Sequence, residues 1–189
     1  TVVLVTTDHM GMSRTISESL RDQVQARHGI ARPDFMLTFS HNHCGPCLKD
    51  DLVDYYPSDD AQRRLVHEYS DWMAKEIVDG VGDALAGLQP ARLFRGEGTC
   101  GFAVNRRDNR EADVPALLAA GTPLKGVVDH RMPILAARAA DGRLLAILFG
   151  YACHPTTLNF NLWCGDYPGW AQIDLETRHP GATAMFFNA

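Results

Sequence analysis

Two apolar, β-branched runs on either side of one amphipathic helix constrain this chain more than any other feature. Val2 to Val5 reads as a buried strand. From Ser13 to Arg27, Ile16, Leu20 and Val24 recur at four-residue spacing and so share one helical face. Gly29 closes that helix, Arg32-Pro33 returns the backbone to extended geometry, and Phe35 to Ser40 makes a second strand. Strand, crossover helix and strand form a βαβ unit, for which parallel strands and a right-handed crossover are expected. The predicted class is α/β: a mixed β-sheet flanked by helices, with its site at the carboxyl ends of the strands.

Downstream, a loop runs from His41 to Pro57. Ser58, with Asp59 and Asp60, then supplies an N-cap and an acidic first turn for a long helix. Its predicted core stripe is Leu65, Tyr69, Trp72, Met73, Ile77, Val81, Leu85 and Leu88, and Pro90 ends it. Ala91 to Cys100 resembles a strand. Asn105 to Lys125 is polar and too long for a structureless loop without a function. His130 to Arg138 and Arg143 to Tyr151 form a hairpin around Asp141-Gly142. Trp170 to Thr177 is a short helix and Ala182 to Phe187 a last strand.

At 189 residues, the chain suits a single core, and chains of this size bury roughly 70% of their unfolded surface without needing disulfides or a structural metal. A metal here is expected to serve chemistry. The net charge of -5 offers no basic field for a phosphate backbone, so nucleic acid is not an expected partner. The longest apolar runs fall far short of the ~20 residues that cross a bilayer. Five cysteines form neither a disulfide scaffold nor a full set of zinc knuckles. Both ends fall in or beside apolar runs, and the chain reads as a single-domain segment of a longer protein.

The chemistry concentrates at strand ends. Asp8 follows the first strand, His41 and His43 the second, and His154 the strand ending near Tyr151. Within Ser40-His41-Asn42-His43-Cys44-Gly45-Pro46, extended geometry past Ser40 would aim His41 and His43 to one side, and imidazole is the commonest zinc ligand. The alternative is an H-x-H pair that merely decorates a loop. Cys44-Gly45-Pro46-Cys47 is also the thioredoxin-type C-G-P-C pattern, although no tryptophan precedes it. Pro155 positions His154. Asp166 is a candidate helix cap, partner of a ligating histidine or substrate contact. Arg106, after a strand, is a candidate clamp for an oxyanion. His9, His28, His67, His130 and His179 are read as structural.

Taken in order, S-H-N-H-C-G-P, N-R-R, V-D-H-R-M-P-I-L, Y-A-C-H-P-T-T-L and G-D-Y-P-G-W-A, ending A-M-F-F-N-A, resemble the amino-terminal portion of the catalytic domain of the neutral/alkaline non-lysosomal ceramidase family. The corresponding family segments read approximately H-T-H-S-G-P, N-R, H-P-T and G-D-x-x-G. The resemblance implies that His41 and His154 bind a catalytic Zn2+, with His43 and Arg106 as catalytic groups around it. It also implies hydrolysis of a lipid-like N-acyl amide of the ceramide type, a secreted or periplasmic location and peripheral contact with a membrane. Two departures stand out. Cys44 replaces the family serine, and the family's remaining zinc ligands, a glutamate and a tyrosine, lie downstream of the stretch matching Ala182 to Ala189. The competing expectations are a thiol redox protein using Cys44 and Cys47, and a binding domain with a structural zinc held by His and Cys.

Overall fold

The structure, a computed structural model, describes residues 1–52, 59–158 and 160–189. Strand β1 (Val3–Thr7) pairs in parallel with β2 (Phe35–Phe39), joined through helix α1 (Arg14–His28), so the predicted βαβ unit is present. Its boundaries follow from local chemistry. The Ser13 hydroxyl accepts the Ile16 N–H at the start of α1, and Gly29, at φ 69°, ends it with its N–H on the Gln25 carbonyl. Ile16, Leu20 and Val24 are buried, and each such side chain contributes roughly 1.5–3 kcal/mol on leaving water.

Helix α2 (Asp60–Ala86) packs on α1. Its N-cap is Asp59, which forms a reciprocal capping box with Gln62; Ser58, the predicted cap, lies outside the described residues. The predicted stripe is corrected in part. Ser70, Met73, Val78 and Val81 are buried, with Tyr69, Ile77 and Leu85 at the margin, whereas Leu65, Trp72 and Leu88 face solvent. A helix lying on one neighbour buries a single stripe, and eight apolar residues spread over more than that. Leu88 falls beyond the helix end.

A second sheet has the order β3-β4-β5-β6: β3 (Arg92–Thr99), β4 (Arg131–Arg138) and β5 (Leu144–Tyr151) are antiparallel, and β6 (Thr183–Asn188) joins β5 in parallel. The mixed sheet is thus present, beside a separate parallel pair, and β6 runs close to β1 and β2. The β4–β5 turn places Gly142 at φ 86°, as the Asp141-Gly142 signal requires. Between β3 and β4 the long polar stretch holds a 3-10 turn and a short helix α3 (Val114–Ala119). Asn109 fastens it by bonding the Asn105 and Lys125 carbonyls and accepting the Lys125 N–H. Helix α4 (Asp166–Arg178) starts four residues before the predicted Trp170, and it covers Phe149, Tyr151, Ala184 and Phe186. Gln172 on α4 links the two sheets, donating to the Asp8 carboxylate at 3.1 Å and accepting from the Phe186 N–H at 3.2 Å. No helix among the described residues is long and apolar enough to cross a membrane.

Candidate metal centre

The ends of β2 and β5 deliver their histidines to one place, whereas the Asp8 carboxylate after β1 holds Gln172 of α4. His41, His43 and His154 form a cluster in which one ring nitrogen of each lies within 4.8 Å of the others. Ring centroids are 5.4 Å apart for His41 and His43, 4.7 Å for His41 and His154, and 4.9 Å for His43 and His154. Such a cluster can hold a metal ion.

The route to this geometry differs from the expected one. Extended backbone stops at Phe39: Ser40 still donates to the Thr7 carbonyl, but His41 donates to the His9 carbonyl and takes φ 62°, in the left-handed region. A non-glycine residue there carries strain that the surroundings must impose. They do so through Asn42, which is fully buried. Its Nδ2 donates to the Asp8 carbonyl at 2.7 Å and its Oδ1 accepts the Cys44 N–H at 2.7 Å. Gly45 completes the turn, since a Cβ there would sit 2.5 Å from the Asp8 carbonyl oxygen. The two histidines therefore converge around a buried Asx turn. An asparagine between two histidines was the available signal for this, since Asn favours such turns.

Hydrogen-bond partners also orient the rings. His41 Nδ1 donates to the Met10 carbonyl, which leaves the Nε2 lone pair of His41 free. Arg106 Nη2 lies 3.4 Å from His154 Nδ1, which sets the guanidinium's permanent positive charge beside that ring. His154 Nε2 and His43 Nε2 lie 2.9 Å apart, close enough to share a proton that an ion between the rings would displace. Desolvation among the packed rings, with His41 and the Arg106 charge adding to it, pushes both His43 and His154 below the usual histidine range. They are held in the neutral form that binds metal ions.

Arg106 reaches the cluster because Asn105 builds its turn, accepting the Arg107 and Asp108 N–H groups at 3.0 and 3.3 Å. The Tyr151 hydroxyl secures the same segment, donating to the Cys100 carbonyl and accepting the Ala103 N–H. On the other side, Tyr167 donates to the Cys153 carbonyl at 2.6 Å, just before His154.

Asp166 is fully buried at the start of α4, with φ 51°. Its carboxylate accepts from Thr157 Oγ1 at 2.7 Å, the Leu158 N–H at 2.9 Å and its neighbour Tyr167's N–H at 2.7 Å. Here it anchors the segment after His154. It does not act as the N-cap, a position that falls to Gly165.

The thiols do not match a redox pair. Cys44 is buried, Cys47 is exposed and they are unbridged. No helix starts at the C-G-P-C segment. Burial pushes both thiols up, away from the lowered range that activates such cysteines. Among the described residues, the metal-competent cluster contains no cysteine, which counts against a mixed His/Cys zinc. His9, read as structural, is buried against α2 with its Nε2 on the Tyr69 hydroxyl at 2.9 Å.

No protein-family model matches the chain, and a search of curated proteins returns no match either. Among solved structures, the fold is shared with neutral ceramidase from Pseudomonas aeruginosa at a TM-score of 0.74 and 23% identity over 99% of this chain. A ceramidase structure described as complexed with C2 aligns equally well, with a TM-score of 0.74 and 22% identity over 99% of this chain. The chain spans 30% and 29% of the length of those two chains.

Proposed function

We propose that this chain carries part of the active site of a zinc-dependent amidohydrolase that cleaves an N-acyl amide of the ceramide type into fatty acid and sphingoid base. The observation that carries the reading is the convergence of His41, His43 and His154 at the strand ends, in a fold shared with ceramidase structures. The donor set fits zinc: three convergent imidazoles, one of them pinned through its far nitrogen to a backbone carbonyl. In this reading His41 and His154 hold the ion. Bound there, zinc supplies a water acidified toward pKa ~7 and a Lewis acid for the amide carbonyl.

The remaining roles belong to the chain's own side chains. His43 moves a proton at Nε2, or donates from it to the oxygen that gains charge as the amide carbon becomes tetrahedral. Arg106, beside His154, places a permanent positive charge on the same oxygen's side. Asp166 holds the loop that positions His154, and its part in substrate binding is to shape that wall. The test is metal analysis of the full-length protein together with hydrolysis of an N-acylsphingosine. Zinc at one equivalent, with activity lost on chelation and restored by zinc, supports the proposal. Full activity in metal-free protein overturns it.

A further inference from the structure

Two cysteines that the proposed chemistry does not use lie against each other beside the histidine cluster. Cys164 donates its backbone N–H to the Cys44 carbonyl at 3.0 Å. Standard backbone dimensions then keep the two Cα atoms within about 7 Å, and disulfides span Cα separations of about 4.4–6.8 Å. The side chains face the same space. Cys44 Sγ lies 3.7 Å from the Leu158 carbonyl and Cys164 Sγ accepts the Asp166 N–H at 3.0 Å, and since the Leu158 N–H bonds the Asp166 carboxylate, both sulfurs border that same pair of residues. Cys47, the other half of the C-G-P-C pattern, is instead exposed and has Asp51 as its charged neighbour.

We propose that Cys44 and Cys164 are a disulfide site, bridged under oxidising conditions by exchange with a low-molecular-weight disulfide. Cys164, the less buried of the two, attacks one sulfur of that reagent and releases one thiol. Cys44 then attacks the Cys164 sulfur and displaces the second thiol. The two cysteines lose two electrons and two protons, and the reagent gains them as two thiols. The new bond ties the residue next to His43 to the segment leading into Asp166, so it joins the two loops that bring His43 and His154 together.

The experiment incubates the purified protein with oxidised glutathione, alkylates the remaining thiols, digests the chain and maps linked peptides by mass spectrometry. The expected product links Cys44 to Cys164 and is lighter by two hydrogens, and reductant abolishes it. Cys44→Ser is expected to convert the bridge into a glutathione adduct on Cys164. Because burial of Cys44 limits access, the same mapping is done after refolding the reduced chain in a glutathione buffer. The proposal is overturned if Cys44 links to Cys47 instead, or if Cys44 and Cys164 remain fully alkylatable after both treatments.

Discussion

His154 and His43, 111 positions apart in the sequence, meet through Nε2 atoms 2.9 Å apart. Each arrives at the end of a different strand, β5 and β2, in two different sheets. The contact depends on the packing that brings β6, the parallel neighbour of β5, alongside β1 and β2. Anything that moves one sheet against the other therefore changes the cluster before it changes either core.

Removal of a proposed ligand should separate metal binding from folding. His41→Ala and His154→Ala are expected to weaken zinc by more than the roughly 10–100-fold typical of losing a ligand's hydrogen-bond partner. Circular dichroism should remain unchanged, because neither side chain belongs to an apolar core cluster. Competition with a chromogenic chelator measures the affinity. Wild-type affinity in both variants would remove the cluster as the metal site.

His43→Ala tests the division of labour within the cluster. As a proton-transfer group, His43 contributes about 10²–10⁴ in rate, so the variant should keep its zinc and lose turnover by that factor. Its Nε2 nevertheless lies 2.9 Å from His154 Nε2, within the same cluster. Loss of zinc in this variant, with the fold intact, would make His43 a ligand and reassign the proton transfer.

The residues legible in the sequence were those whose role depends on local pattern. The α1 face of Ile16, Leu20 and Val24, the turn at Asp141-Gly142 and the strand-end histidines all follow from spacing and neighbours. What stayed hidden depends on tertiary partners. Leu65 and Trp72 are apolar at helical spacing yet exposed, because α1 covers only part of α2. The Asn42 bond to the Asp8 carbonyl and the His41 bond to the Met10 carbonyl reach 34 and 31 positions along the chain, which no periodicity encodes, and the Asp166 anchor depends on how the segment after His154 folds back on it. The αL backbone of His41 was likewise unmarked, since non-glycine residues adopt it uncommonly, histidine more often than most but still rarely.

Asn42→Ala removes the amide that ties the H-N-H loop to β1. It leaves the half-buried Asp8 carbonyl and the buried Cys44 N–H without their partner, at a cost of about 1–3 kcal/mol for the buried donor. Stability in urea should fall accordingly. With the αL turn at His41 released, zinc affinity should fall about 10–100-fold, as for loss of a ligand's support. A loss of stability with unchanged zinc affinity would show that the loop holds its shape without Asn42.

Substitutions at Asp166 should grade with the acceptors they leave. Asp166→Asn retains an oxygen for Thr157 and Tyr167 but sets an amide against the Leu158 N–H, at a cost of about 1–3 kcal/mol. Asp166→Ala strips all three donors of their partner and puts a less tolerant residue at φ 51°, so its loss should be the larger. Equilibrium unfolding of the three proteins measures the order. Equal stability of the alanine and asparagine variants would contradict the anchoring role.

The close approach of Gly45 to β1 gives the last test, and it isolates backbone packing from polar chemistry. A Cβ at this position would lie 2.5 Å from the Asp8 carbonyl oxygen and 3.4 Å from Asn42 Nδ2. The first of these atoms is backbone at the end of a strand and cannot rotate away. Gly45→Ala must therefore push the H-N-H loop off β1, with an overpacking cost of about 1–3 kcal/mol. Gly101→Ala serves as the control, because nothing lies within 4 Å of a Cβ there, and it should stay within about 0.5 kcal/mol of the parent. The loop displaced in Gly45→Ala carries both His41 and His43, so zinc affinity should fall together with stability, while Gly101→Ala changes neither. Equal behaviour of the two variants would mean that the turn at Gly45 has room the structure does not show.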